Sequence, residues 1–332
     1  MVVDGFVLAA DLGGTKAAAA LVTGPGDILC RKQEATCQSG PRDGIAQIAR
    51  LARAVVQEAG LKMSDAACMG VGVPAVLEPG TDRVMWAPKL SGWGEVDLCP
   101  ALQDELGLPV FAEYDGHTTV LGEWWVGSGK GCQSVVALIV GTGIGGGMIL
   151  DGRLYRGFNR LAGAAGWLAL TSDPEAQDER ARAIGFWDAL ASGPGLAGYA
   201  QALASAHTES SLWSKAQSGE LTPVEIFAAA RQGDELAVQI LNQFAGWLGL
   251  GIANIVSLLN PEVIILCGGV GSRCQALLPR IRQVAVRWAQ PFSAQSVKIT
   301  VSQLGGDAGL YGAAWGAWQR WKEKGEQEHR DE

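Results

Sequence analysis

No cluster or stripe of Lys and Arg occurs in this chain, whose formal charge at neutral pH is −8. Phosphate backbones are bound by such clusters, so a nucleic-acid partner is disfavoured. The opening stretch, "MVVDGFVLAADLGG", lacks the basic region, long apolar run and cleavage site of a secretory signal. The longest apolar segments are interrupted by Gly, Asn or Asp before they reach the length of a membrane span. No membrane association is expected, and the cytoplasm is the default compartment. The seven cysteines, at 30, 37, 68, 99, 132, 267 and 274, make no C-x-x-C or C-x-C pair. They read as reduced thiols, with neither a disulfide framework nor a zinc site.

What is present suits a two-lobed enzyme with a cleft. The chain has 332 residues, more than a single core usually organises, with 48% apolar and 18% charged residues. "FVLAA" is a short apolar run opening into Asp11 and two glycines, a buried strand that ends in a turn. "AAAALV", the turn "TGPGD" and "ILCRKQEA" read as a hairpin. Residues 43–60 have apolar positions at helical spacing and close on Gly60. "AACMGVGVPAVLE" is a further strand, and "LQDELGLPVFAEYDG" is a helix end followed by a strand. With "SVVALIVGTGIGGGMILDGRLY" the order begins again, so two similar halves are expected. After a polar region, 171–183, come the long helical stretch beginning "PVEIFAAARQGDELAV", the strand "EVIILCGGVGS" and the helix "QALLPRIRQVAVRWAQ". "LGGDAGLYGAAWGAWQRWKEK" predicts a helix of small residues with Trp315, Trp318 and Trp321 on one face, followed by a solvated tail.

Two glycine turns and a third glycine site carry the chemical signal. "GTGIGG" satisfies the dinucleotide fingerprint, but that fingerprint needs a helix straight after its glycines, and "MILDGRLY" reads as strand and hairpin. The G-x-x-x-x-G-K-[ST] pattern is absent around Lys130. A glycine turn between strands still holds phosphate through converging backbone N–H groups. "DLGGTK" adds the carboxylate of Asp11 for a metal-bound water, the hydroxyl of Thr15 and the cation of Lys16 beside Gly13 and Gly14. "GTGIGGG" brings Gly141, Thr142, Gly143 and Gly145, and "LCGGVGS" brings Gly268 and Gly269 towards the nucleoside end. Any one cluster is most simply a tight hairpin; three in this order point to a nucleotide held between lobes.

These segments resemble the ROK family (repressors, open reading frames and kinases) of the actin-like ATPase superfamily. "DLGGTK", "APKLSGW", "GLPVFAEYDG", "LGEWWVGSGKG", "GTGIGGGMILDGRLYRG", "LASGPGL", "ANIVSLLNPEVIILCGGV" and "GDAGLYGAA" occur in family order over nearly the whole chain. The resemblance implies an α/β actin-like ATPase (ribonuclease H-like) fold: duplicated, two-lobed, with mixed β-sheets and an inter-lobe cleft. The N-terminal lobe is expected over 1–116, completed by a C-terminal helix at about 306–324; the C-terminal lobe spans 117–305, and 325–332 form the tail. ATP and Mg²⁺ are implied as cofactors, with Asp11 holding Mg²⁺ through water, and a homodimer is the usual state. Asp115 matches the Asp of the family's E-N-D-A-N segment, the base that takes the proton from the sugar hydroxyl as it attacks the γ-phosphate. Regulators of the family carry a helix-turn-helix ahead of the first phosphate loop; here that loop begins at Asp11, which sets the expectation against a repressor.

The acceptor pocket departs from the family. Tyr114 stands for a sugar-binding Asn and Lys89 for the Asn of A-P-N-L. "GAAGW" replaces G-E-x-G-H, so Ala164 and Trp167 stand where a sugar-binding Glu and a zinc-ligating His are usual. The C-x-C-G-x-x-G-C-x-E motif is also lost, with Phe186 at its last Cys and Asp188 near its Glu. No zinc is expected, with Trp167, Phe186 and Trp187 packing the volume. Lys89, Tyr114, Asp115, His117, Trp167 and Asp188 are expected to line a pocket for a carbohydrate-like acceptor, with His117 otherwise a loop hydrogen-bond partner. Arg156 and Asn159 lie where the family loop passes the substrate. The expected function is ATP-dependent phosphorylation of a sugar or polyol hydroxyl; the alternative is an inactive nucleotide-binding sensor or regulator without a DNA-binding domain.

Overall fold

In a computed structural model the protein is described over residues 5–24, 26–171 and 179–331. Most of the polar region expected at 171–183 lies outside the described residues. The strands are β1 (Phe6–Leu12), β2 (Lys16–Thr23), β3 (Ile28–Ala35), β4 (Ala66–Val73), β5 (Val76–Leu77), β6 (Val84–Trp86), β7 (Val110–Tyr114), β8 (Val135–Val140), β9 (Ile144–Leu150), β10 (Arg153–Leu154), β11 (Val263–Cys267) and β12 (Lys298–Val301). The helices are α1 (Pro41–Glu58), α2 (Leu98–Leu106), α3 (Asp115–Trp125), α4 (Glu179–Ile184), α5 (Phe186–Ala191), α6 (Gly193–Ala204), α7 (Trp213–Ser218), α8 (Pro223–Arg231), α9 (Glu235–Leu259), α10 (Gly268–Gly271), α11 (Leu278–Trp288), α12 (Pro291–Ser296) and α13 (Ala308–Asp331).

The first sheet has the order β3-β2-β1-β4-β7. β1, β2 and β3 pair antiparallel, and β4 and β7 join parallel to β1. Because side chains alternate across a strand, the unbroken apolar run of β1 requires cover on both faces. Leu8, Ala10 and Leu12 join the core that α1 supplies with Ile48, Leu51 and Val55. The other face is covered by α13, whose backbone comes so close to β4 that a Cβ on Gly70 would lie 1.9 Å from the Ala313 carbonyl oxygen. The second sheet, β10-β9-β8-β11-β12, repeats the order of the first, with β8, β11 and β12 parallel. The repeated order is the duplication that the two glycine turns suggested.

Two compact units result. The first comprises Met1–Gly131, Gly147–Gly163 and Gly306–Glu332; the second comprises Cys132–Gly146 and Ala164–Gly305. The lobe boundary expected at residue 116 falls in the first turn of α3, and α3 belongs to the first unit, where it packs against α13. α13 itself continues to Asp331, so residues 325–331, expected to belong to a tail, extend the helix. One described helix, α9, is long and apolar enough to cross a membrane by length and composition. It is mostly buried, with Ile240, Phe244, Leu248 and Ile252 fully so, and packs against α11 and α8 as a core helix of the second unit.

Candidate functional site

The first glycine turn joins β1 to β2, and its carbonyl groups are held by the protein. Gly13 N–H donates to the Lys16 carbonyl at 2.8 Å. The Thr36 hydroxyl donates to the Gly13 carbonyl at 2.6 Å, and Gln38 Nε2 to that of Gly14 at 2.9 Å. Thr15 is exposed at the tip. The backbone and Cβ of Lys89 lie against Gly14, 3.4 Å from where a Cβ there would be. Lys16 reaches Gly306, just ahead of α13: its Nζ is 2.8 Å from the position a Gly306 Cβ would take.

Asp11 lies over the first turn of α13. A Cβ on Gly309 would come within 3.0–3.1 Å of its carboxyl atoms, so a side chain there would press on that carboxylate. Burial pushes the Asp11 carboxyl up to about 7, and the charge of Asp115 adds to the shift. Lys16 opposes it, Asp307 reinforces it, and Arg31 opposes it again. Arg31 is itself bound to Asp307, Nε to Oδ1, at 2.6 Å. The structure therefore brings Asp11, Lys16, Lys89 and Asp115 of the first unit into one electrostatic neighbourhood.

Asp115 opens α3, at the elbow where β7 ends. Its carbonyl accepts from the Thr118 and Thr119 hydroxyls at 3.0 and 2.9 Å, which fixes the first turn. Burial pushes its carboxyl up, against the opposing influence of Lys89, the Gly116 N–H and His117. A raised carboxyl suits a general base, whose proton affinity is best placed near the working pH.

His117 is placed differently from the expectation that it lines the acceptor pocket. Its side chain is fully buried, with Nδ1 3.0 Å from Glu113 Oε1 and Nε2 2.9 Å from the Ala162 carbonyl oxygen. Both nitrogens are committed within the fold, so His117 acts as a structural tie. Tyr114 is half-buried and meets the His117 ring edge-on, with centroids 5.2 Å apart. Lys89 and Asn159 are exposed.

In the second unit the glycines of the other two motifs meet. The Gly141 N–H donates to Gly143, and the Gly141 carbonyl accepts from Gly193 N–H at 2.7 Å. A Cβ on Gly141 would lie 4.0 Å from the Gly269 nitrogen. Gly268 has φ +83° and packs on the Val140 carbonyl, where a Cβ would come within 2.6 Å. Thr142 and Gly269 are exposed, and Gly145 is half-buried. Asp188 Oδ2 accepts from Ile144 N–H at 2.7 Å, so this carboxylate anchors the glycine hairpin.

The residues expected to fill the zinc volume divide. Trp187 is fully buried, its ring about 2.2 Å from where a Gly251 Cβ would be, and Phe186 is half-buried. Trp167 is 53% exposed and fills no core. Among the described residues no group of three or more His, Cys, Asp or Glu side chains is placed to hold a metal ion.

Sequence reasoning missed the buried ionic residues behind Asp115. Glu113 is bonded to Arg156, Nε to Oε2, at 2.7 Å, and Arg160 is bonded to Asp82 at 2.7 Å. The only signal was the Glu in "FAEYDG" and the Arg in "YRGFN"; nothing in either stretch names a partner.

A model of the ROK family matches residues 7–320. The glucokinase of Halalkalibacterium halodurans is 31% identical over 317 residues, covering 94% of each chain. That of Streptomyces coelicolor is 32% identical over 316 residues, covering 93% of this chain and 96% of its own. Among solved structures, a ROK family glucokinase from Streptomyces griseus in complex with glucose and AMPPNP superposes with a TM-score of 0.82 at 30% identity, covering 95% of this chain and 100% of that one. The fold is thus the α/β fold of the actin-like ATPase sugar kinases. With a family model matched over most of its length and relatives above 30% identity across nearly all of both chains, the protein belongs to the ROK family.

Proposed function

We propose that the protein is an ATP-dependent kinase that phosphorylates a hydroxyl of a sugar or sugar-like polyol, with Asp115 as the base. The observation that carries this reading is the pairing of two acidic groups, Asp115 at the β7–α3 elbow and Asp11 at the first glycine turn, each raised by burial and near enough for one charge to act on the other. Such a pair has little structural value; as a reactive pair it has a clear one. Asp115 accepts the proton of the attacking hydroxyl, the hydroxyl oxygen forms its bond to the γ-phosphorus, and the bond to the β-phosphate oxygen breaks as ADP leaves.

The Asp11 site fits a divalent cation, because two carboxyl groups that repel one another in a half-buried setting are relieved by positive charge. Asp11 would hold Mg²⁺ through water, and the ion would supply neutralising charge to the phosphates. Lys16 adds a fixed cation at the same turn. Gly13, Gly14 and Thr15 are assigned to phosphate, as are Gly141, Thr142, Gly143 and Gly145, with Gly268 and Gly269 at the nucleoside. Relatives named glucokinase put glucose first among candidate acceptors. Lys89 and Tyr114 in place of the family's amides, and Ala164 in place of its carboxylate, support an altered preference.

The test is ADP release from Mg-ATP over a panel of hexoses, amino and N-acetyl sugars, inositols and short polyols, with Asp115→Asn protein as the blank. Turnover should fall by at least about 10²-fold in the variant, the scale of a lost general base, while the ATP dissociation constant measured by calorimetry stays nearly unchanged. Undiminished turnover in Asp115→Asn would remove the mechanism. Silence of the unaltered protein across the panel, with ATP still bound, would favour a nucleotide-dependent sensor.

A further inference from the structure

Glu113 and His117 stand two residues before and two after Asp115, and both are tied to the same distant segment. Glu113 Oε2 binds Arg156 Nε at 2.7 Å and lies 3.6 Å from Arg160 Nη2. Glu113 Oε1 faces His117 Nδ1 at 3.0 Å, and the other ring nitrogen of His117 faces the Ala162 carbonyl at 2.9 Å. The imidazole thus sits between Glu113 and the Ala162 carbonyl and closes a ring of contacts from β7 through α3 to residues 156–162 and back.

That segment is held in turn from beyond. Arg160 Nη1 binds Asp82 Oδ1 at 2.7 Å, and Arg320 of α13 binds Asp82 Oδ2 at 2.6 Å and the Ala112 carbonyl at 3.1 Å. Ala112 lies on β7, one residue before Glu113, and its N–H donates to Asp82 Oδ2 at 3.3 Å. Asp82 and Arg160 both have positive φ, 57° and 56°. Non-glycine residues keep such backbone only where their surroundings over-determine it. Glu113 and Asp82 are nearly inaccessible, so charge on either is tolerable only while its partners stay in place.

We propose that Glu113 and His117 are positioning residues for the phosphoryl-transfer step: with Arg156 and Arg160 they clamp the β7–α3 elbow and so hold Asp115 in line with the acceptor. The clamp rests on the reading of Asp115 as the base. It acts through orientation, since the side chains of Glu113 and His117 are engaged within the ring of contacts. It also makes Asp115 sensitive to the conformation of residues 156–162, so that any ligand that moves this segment alters the base.

Two variants, Glu113→Gln and Arg160→Met, test the clamp from opposite ends. Glu113→Gln keeps an acceptor for His117 and removes the charge that holds the arginines; Arg160→Met leaves the elbow's own residues untouched. In each, kcat at saturating acceptor should fall by roughly 10- to 100-fold, the cost of misplacing a reacting group by about an ångström. KM for ATP should stay within twofold. Amide hydrogen exchange should quicken together at residues 113–119 and 156–162 in both variants, and Glu113→Ala should lose more kcat than Glu113→Gln. Unchanged kcat and exchange in a folded Arg160→Met protein would overturn the proposal, as would a fall in kcat matched by equal loss at the ATP turn. If Asp115→Asn keeps its turnover while the two segments still loosen together, the clamp stands as structure and its catalytic meaning fails with the base.

Discussion

Asp11, half-buried, and Glu113, buried, are acids displaced in opposite directions. Asp11 is raised from 3.8 to about 7, so the folded protein keeps a proton that the unfolded chain releases. Its contribution is unfavourable as pH rises from 3.8 to 7, costing about 1.4 kcal/mol of stability for each pH unit crossed. For Glu113, burial alone would raise the carboxyl, but the His117 hydrogen bond and the arginines outweigh it and hold it at about 2, below 4.5. Its contribution is full above pH 4.5 and is lost as pH falls towards 2. Urea midpoints measured against pH without magnesium or nucleotide should therefore show Asp11→Asn removing a decline between pH 4 and 7, and Glu113→Gln removing a loss below pH 4.5. An unaltered slope in Asp11→Asn would show that its carboxyl is not raised. Asp11 and Asp115 were legible because each follows a short apolar run just ahead of a glycine in a family motif. The roles of Glu113 and His117 were not, because what decides them is Arg156, Arg160 and the Ala162 carbonyl, which local spacing does not bring near.

At the scale of elements, the site depends on how α13 crosses α3. A Cβ on Gly312 would fall 1.6 Å from the Thr118 carbonyl oxygen, and one on Gly122 would fall 2.0 Å from that of Ala308. The two helices meet backbone to backbone, and the crossing sets the first turn of α13, with Gly309, beneath Asp11. Gly312→Ala should push the helices apart. The expected loss is about 1–3 kcal/mol or more by urea unfolding, the usual range for overpacking, with weaker Mg-ATP turnover because Gly309 moves with its helix. A variant of unchanged stability and activity would mean that the crossing can open freely. The small-residue helix and its tryptophan face were readable from "GLYGAAWGAWQRW": Trp315 and Trp318 are buried, and Trp315 stacks on Trp125 with centroids 5.1 Å apart. The partner of the glycine face was not readable, since a small residue states only that something comes close.

For the whole molecule, the duplicated sheet order and the departures from the family motifs carry the remaining expectation. Ala164, Trp167 and Phe186 offer no zinc ligand, and Asp188 is engaged with the Ile144 N–H. Elemental analysis of pure protein should find no stoichiometric zinc, and one zinc per chain would overturn that expectation. Strand runs, glycine turns and their order are properties of short stretches, because backbone conformation and hydrophobic alternation are set by neighbours in the chain. The sequence by itself therefore determined the fold class, the family and the positions of Asp11 and Asp115. Tertiary structure alone decided that Asp11 and Asp115 share one electrostatic neighbourhood, that His117 is buried between Glu113 and Ala162, and that Trp167 is exposed. Each of these depends on which distant segments the sheet order and the α3–α13 crossing bring together, and a buried charge or ring takes its character from those neighbours.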